Sequence, residues 1–319
     1  MLEVETFMCD HKMVKRQVGK FFLLEQIGCG GTSVVLKAVK DGGDKQKKYA
    51  CKVISRENLA NKEALKHFEQ ELRIHMQLDH PNICKIDQIV YEDDNIYLFM
   101  DYCSNGDLFQ WISRTSIINN YKILFQIVSA LAYLHERGIT HLDIKPENIL
   151  VDEEWNVKLA DFGNCGSGRR MNISSFFGTI EYAPPEVFSG EIHSPFAIDV
   201  WQLGVLAYEM FVGEIPWKRD PDSIAKEIIA GDFTIPSNIP SVIQTFIKKC
   251  LEVNPKRRAD IFEIQNLKLT LVETPNKKFI KSAQMICWKP HIGMFKQAQT
   301  NRNVKISQSL RMEKRASLV

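Results

Sequence analysis

Three short stretches, far apart in the chain, hold the kinds of groups that moving a phosphoryl group requires. Lys52 sits in an apolar run, Tyr49-Ala50-Cys51-Lys52-Val53-Ile54, where an ammonium loses several kcal/mol of hydration unless an anion meets it. Glu71, on the helix that follows, is the candidate partner, and the pair would hold the lysine ready for a nucleotide's phosphates. The alternative is a lysine snorkelling from a strand edge. Further on, His141-Leu142-Asp143-Ile144-Lys145-Pro146-Glu147-Asn148 is followed, thirteen residues after Asn148, by Asp161-Phe162-Gly163. Residues 149–160 between them read as a short hairpin, which brings the two acidic clusters side by side. Together they supply oxygen ligands for magnesium, a carboxylate to accept a hydroxyl proton and a cation near the transferred group. Upstream, Gly28-Cys29-Gly30-Gly31-Thr32-Ser33-Val34-Val35 is a turn whose missing Cβ atoms let backbone N–H groups approach phosphate oxygens. Such glycines also serve turn geometry alone.

The elements that must position these groups follow from the pattern around them. Residues 20–40 run from apolar residues into the glycine cluster and out through β-branched ones, predicting strand, tight turn, strand. Residues 49–54 are a third strand. From 61 to 78, Leu65, Phe68, Leu72, Met76 and Leu78 recur at roughly helical spacing, and His80-Pro81-Asn82 ends the helix. Two more strands are expected near 84–90 and 96–102, so the first third is a small antiparallel sheet with one long helix. Residues 104–108 read as a turn and helix start, and 121–135 and 197–213 are apolar helices, the first with the nearly all-round apolarity of a buried one. The segments 223–231, 241–251 and 259–267 look amphipathic. No internal repeat is present.

The 319 residues suggest about two compact units. A hydrophobic fraction of 45% and a charged fraction of 25% exclude disordered, collagen-like and supercharged classes. The net charge of +2 divides unevenly: residues 273–319 carry 10 Lys and Arg against 2 acids, and the remainder 31 against 37. That leaves a body at −6 and a tail at +8. No apolar stretch approaches the roughly 18 to 20 residues that cross a bilayer, and the acids of the first ten residues are unlike a secretory signal. Eight scattered cysteines show no CxxC and no zinc spacing, which fits a reducing cytoplasmic or nuclear compartment. Cys29, Cys51, Cys103 and Cys165 fall near one cleft. They read as small hydrophobes, with a redox switch as the alternative.

The combined pattern resembles a eukaryotic serine/threonine protein kinase, closest to the calmodulin-dependent and checkpoint-type branch, over roughly residues 20–270. The resemblance implies an α+β, bilobal fold: a small antiparallel-sheet lobe at about 20–102 and a larger, mainly helical lobe at about 103–270. Residues 1–19 would form an N-terminal extension and 271–319 a basic tail, extended or partly docked. It also implies transfer of the γ-phosphoryl group of ATP, with Mg2+, to a Ser or Thr hydroxyl. On this likeness Gly28, Gly30 and Ser33 cover the phosphates, Val35 joins the nucleotide-binding set, and Lys52 binds the α- and β-phosphates with Glu71 as its partner. Met100 is the gatekeeper, Asp101, Tyr102 and Cys103 form the hinge that meets adenine, and Asp107 meets ribose or substrate. Asp143 is the base, Lys145 neutralises the moving group, and Asn148 and Asp161 are magnesium ligands. Gly178 to Tyr182 and Pro184-Pro185-Glu186 resemble the segment that positions the peptide, with the Thr179 hydroxyl bridging Asp143 and Lys145. Glu186 pairing with Arg258, and Asp199 fastening the catalytic loop, have architectural roles.

Three departures from the family pattern stand out. Leu142 replaces the arginine that grips a phosphorylated activation loop, so no charge-assisted clamp forms there and activity is expected not to depend on phosphate in 164–179, although Ser174 and Ser175 are available. His75 lies one helical turn after Glu71, where the family stacks an apolar side chain beneath the phenylalanine of Asp161-Phe162-Gly163; a polar group there is expected to loosen the active arrangement, unless it is a satisfied histidine. Asn164 to Gly168 are expected to make the start of the activation segment unusually flexible, as a means of regulation or as simple looseness. Acidic Glu147, Glu209 and Asp107 favour protein substrates with Arg or Lys before the target hydroxyl. Ser317, in Lys314-Arg315-Ala316-Ser317, has that form, so the tail is read as an autophosphorylation site, an inhibitor in the groove, a surface for a regulatory partner, or a solvated basic end. The rival readings are a nucleotide-binding pseudokinase scaffold and a small-molecule phosphotransferase. Only the tail speaks for nucleic acid.

Overall fold

The structure is a computed structural model, and it describes residues 16–29, 33–42, 47–92, 94–112, 117–167, 179–189, 194–218, 220 and 223–267. The chain divides into two units, Met1–Thr274 and Pro275–Val319, and every described residue lies in the first.

Six strands, β1 Arg16–Val18, β2 Phe21–Cys29, β3 Ser33–Lys40, β4 Lys48–Ser55, β5 Ile86–Tyr91 and β6 Asn95–Asp101, form one antiparallel sheet in the order β1-β2-β3-β4-β6-β5. Strand alternation sorts their side chains onto two faces. Phe21, Leu36, Tyr49, Cys51, Tyr97 and Phe99 bury together on one face, and Ile54, Ile96 and Leu98 on the other. The second face is covered by helix α1, Lys62–His75, through Phe68 and Leu72. Asn61 caps α1 by accepting the Glu63 N–H at 2.9 Å. Lys52 shares parity with Ile54, so the pleat itself turns it toward α1. The sheet also extends into residues read from the sequence as an N-terminal extension: Arg16 pairs with Leu23, and Val18 is fully buried. Three residues with one apolar side chain are too few for periodicity to register.

The helical part is built on α2 Ile117–Glu136 and α4 Pro195–Val212, with α3 Pro185–Ser189, α5 Ile224–Ala230, α6 Ser241–Cys250 and α7 Ile261–Gln265 around them. Helix α4 is buried on nearly every side and stops at Gly213, which takes φ 97°. Its approach to α6 is so close that a methyl group on Gly204 would stand 2.6 Å from Cys250 Cβ. Two short antiparallel ladders complete the framework: β8 Ile149–Val151 with β9 Val157–Leu159, and β7 Ile139–Thr140 with β10 Gly166–Ser167. Among the described residues no helix is long and apolar enough to cross a membrane.

Candidate active site

The loop between β7 and β8 carries Asp143, and its shape is imposed by α4. Asp199, fully buried on that helix, accepts the N–H of Leu142 (2.7 Å), the N–H of His141 (2.9 Å) and Nε2–H of His135 (2.8 Å). Gln202, one turn later, accepts the Ile144 N–H at 3.0 Å and donates to the Leu142 carbonyl at 3.1 Å. Leu142 is held at φ 67° between them, a conformation that costs a β-carbon residue about 1–2 kcal/mol. Four hydrogen bonds to two buried side chains offset that cost and fix where the loop points.

At its tip, Lys145 Nζ lies 2.9 Å from Asp143 Oδ2 and donates to Thr179 Oγ1 at 3.2 Å. The expected bridge is therefore present with the lysine, rather than the threonine, at its centre. Asn148 donates its amide to the Asp143 carbonyl (2.8 Å) and to Asp143 Oδ2 (2.9 Å), which leaves Asn148 Oδ1 for another partner. Ala160 joins this loop to the next acidic group. Its N–H donates to the Asn148 carbonyl at 2.9 Å, and its carbonyl accepts from His141 Nε2–H at 3.0 Å. Asp161 follows in the left-handed region, φ 62°.

On the sheet side, Lys52 Nζ is 3.6 Å from Glu71 Oε1. A methyl on Gly163 would lie 3.4 Å from Asp161 Oδ1 and 3.7 Å from Glu71 Oε2, so the two carboxylates converge on this glycine. Burial, reinforced by the Asp161 charge, lifts the Glu71 carboxyl above its ordinary range against the pull of Lys52. Four acidic or amide groups, Glu71, Asp143, Asn148 and Asp161, and two lysines, Lys52 and Lys145, are thus linked from separate elements through Ala160 and Asp161. Val35 pairs with Lys52 across β3 and β4, Gly28 pairs with Val35, and Ser33 pairs with Ile54. Gly30, Ser174, Ser175, Gly178, the tail and Ser317 lie outside the described residues.

The remaining residues expected in the site fall into two groups. Met100 packs on the α1 side of β6 with Leu98 and Phe68, and Cys103 is buried just beyond the strand. Asp101 uses its N–H on the Lys85 carbonyl and its carboxylate on the Lys85 N–H and, at 2.9 Å, on Lys158. Asp107 accepts from the Gln110 N–H and side chain, acting as a cap. Glu147 stands exposed, within electrostatic reach of Lys145, Asp143 and Asp107. Glu209 differs from the expectation of an open acidic position: it is 4% exposed and accepts a short hydrogen bond from the Tyr182 hydroxyl. A cation reaching it has to share or displace that hydroxyl. Burial pushes the thiols of Cys51, Cys103 and Cys165 up to about 12, which removes the thiolate that a redox switch needs. Cys29 is exposed.

Sequence reasoning missed Gln202 and His135 as supports of the loop. The available signal was a glutamine inside an otherwise apolar helix, where a buried amide must find partners. His75 is satisfied: its Nε2 meets the Cys84 carbonyl at 2.5 Å, and its ring lies 4.5 Å from that of Phe162. Burial pushes this imidazole down to about 4, with the Cys84 hydrogen bond opposing and Lys52 and His141 adding to it. The unfolded chain therefore takes up a proton where the folded chain does not. Folding free energy is expected to fall by up to about 3 kcal/mol as pH drops through the window from 6.5 toward 4. Urea midpoints at about pH 7.5 and about pH 5 measure this, and His75→Leu should flatten the difference; an unchanged slope in that variant contradicts it.

Residues 21–269 match the family model described as "Protein kinase domain". The chain is 33% identical over 225 residues to "Serine/threonine protein kinase OSK3" of Oryza sativa subsp. indica, covering 68% of this chain and 44% of that protein. It is 30% identical over 282 residues to the "Carbon catabolite-derepressing protein kinase" of Secale cereale, covering 83% and 55%. With "Aurora kinase B" of Mus musculus it shares 32% identity over 220 residues, covering 67% and 63%. The chain spans about half the length of the rice and rye proteins.

Proposed function

This chain belongs to the protein kinase domain family, and from that premise we propose that it is an ATP-dependent serine/threonine protein kinase acting in cytoplasmic or nuclear signalling. The observation that carries the reading is the linkage around Asp143. Its carboxylate is held by Lys145 and Asn148, and the same loop is bonded to Ala160, the residue that precedes Asp161. Asp143 orients a substrate hydroxyl and accepts its proton, while Lys145 balances charge on the moving phosphoryl group. Lys52, steadied by Glu71, is the anchor for the α- and β-phosphates. Asp161 and Asn148 Oδ1 are the residues to hold Mg2+, which neutralises phosphate charge when bound. This donor set is one carboxylate and one amide oxygen, and among the described residues no group of three or more His, Cys, Asp or Glu side chains is placed to hold a metal ion. It suits a hard cation that keeps phosphate oxygens and water as its other ligands.

We read the substrates as proteins with Arg or Lys before the target hydroxyl. Exposed Glu147, with Asp107 nearby in charge, supports this preference, and Glu209 joins only if Tyr182 yields. Leu142 supplies no cation for a phosphorylated activation segment; its side chain instead lies 3.6 Å from where a methyl on Gly166 would stand, on the β7–β10 ladder. Turnover without phosphate on Ser174 or Ser175 fits that apolar contact. The test is incubation of the full chain with labelled ATP and Mg2+ on a peptide array varying the residues before Ser and Thr. Label on basic-directed Ser/Thr peptides, absent with EDTA, is the expected result. ATP binding without transfer to any peptide sinks the reading in favour of a scaffold.

A further inference from the structure

The strand that leads into the glycine turn is loosely tied to its neighbour. β2 and β3 stay in register from Phe21 opposite Lys40 to Leu23 opposite Ala38, then slip twice, so that Gln26 faces Leu36 and Gly28 faces Val35. Each slip inserts an extra residue into β2 and interrupts the ladder. The end of β2 therefore depends on side chains for its place. Lys37 supplies them with a tie: Nζ donates to Glu25 Oε1 at 2.7 Å and stands 5.5 Å from the centroid of the Tyr102 ring. Glu25 lies within the first slip. Cross-strand partners share a face. Lys37 pairs with Ala50 and Ala50 with Met100, while the parallel row on that face is Val35, Lys52 and Leu98. Lys37 thus lies on the side of the sheet that carries Lys52, opposite the buried Leu36 and Ala38. Tyr102 comes two residues after Met100, where the chain leaves β6 for the helical part. The Lys37 side chain is only 20% exposed, less than half the exposure of its partner Glu25.

We propose that Lys37 is a positioning residue for the nucleotide, which latches the glycine-turn end of β2, through Glu25, to the Tyr102 ring of the hinge segment. With both contacts made, β2 and β3 stay close over the hinge and a bound nucleotide leaves slowly. With either broken, the slipped stretch of β2 lifts more often and release quickens. A carboxylate and an aromatic face both attract a cation, so an uncharged side chain of similar length loses both contacts at once. The inference rests on the nucleotide site proposed above.

The test follows release of a fluorescent ADP analogue from the full chain by stopped flow. Lys37→Met is expected to raise the dissociation rate about fivefold, the scale of an exposed cation–π contact together with an ion pair. KM for ATP should rise by a similar factor, KM for the peptide should stay unchanged and kcat should not fall. Lys37→Arg, whose guanidinium can bond the carboxylate and stack on the ring, should release within about twofold of the native rate. In a Tyr102→Leu background the ring is gone, so adding Lys37→Met should quicken release by no more than about twofold. A merely structural lysine lowers Tm and leaves release from the folded protein alone. Native release in Lys37→Met, or the full effect of Lys37→Met in the Tyr102→Leu background, overturns the proposal. If the native chain binds no nucleotide, the kinase reading fails instead. Hydrogen exchange without nucleotide then decides the latch: amides of residues 24–29 should exchange faster in Lys37→Met than in the native chain, and equal exchange overturns it.

Discussion

Asp143→Asn should lower kcat for phosphoryl transfer by about a thousandfold and leave the affinity for MgATP within about threefold. The substitution preserves volume and one acceptor oxygen, so the loop need not move. It removes the negative charge that Lys145 meets at 2.9 Å and the group that takes the hydroxyl proton. Lys52 and Asp161, the proposed nucleotide anchors, belong to other elements and are untouched. Steady-state kinetics beside calorimetric titration of MgATP separate the two effects. A loss in kcat below tenfold would mean that Asp143 is not the proton acceptor, and a comparable loss of nucleotide affinity would mean that the loop had collapsed.

The second large effect concerns stability. Arg258 and Glu186 form a bidentate pair at 2.7 and 2.9 Å, with side chains 0% and 1% exposed. The guanidinium also donates to the carbonyls of Glu252 and Ala197, and lies 4.8 Å over the Trp201 ring. Arg258→Met strands a carboxylate in a dry interior, which costs about 3–5 kcal/mol. Arg258→Lys should recover little, because a single ammonium cannot reproduce the fork. Adding Glu186→Gln to Arg258→Met should return part of the loss by removing the orphaned charge. Urea unfolding at neutral pH reads all three variants. A single-variant cost below about 1 kcal/mol would place the pair among the weakly contributing exposed ones.

Much of this arrangement was legible in the chain because it depends on local rules. The pleat parity of β4 turns Lys52 toward α1, helical spacing puts Glu71 beside it, and a short hairpin brings Asp161 next to Asn148. Each inference needed only a period and a turn. What stayed hidden depends on pairings between distant segments. Nothing in Gln202's neighbours says that it will hold the backbone of a loop nearly sixty residues earlier. Nor does spacing tell that Tyr182, read as part of the peptide-positioning segment, will close over Glu209, read as an acid for the substrate. His75 was noticed and is satisfied, as one of its two readings expected, but its acceptor, a main-chain carbonyl, carries no mark in the sequence. The strand at Arg16–Val18 and the two-residue β7–β10 ladder were missed because each is too short to alternate.

The left-handed backbone at Leu142 also divides the enzyme into parts that can and cannot be adjusted. Its catalytic loop hangs from side chains embedded in α4, so loosening it would mean melting the interior of the larger lobe. Any dial on turnover has to act elsewhere, on the seat of α1, on the glycine turn or on the chain beyond Gly163. With Asp143 as the proposed base, the fold sets its place, and adjustment falls on how the phosphate donor is presented to it.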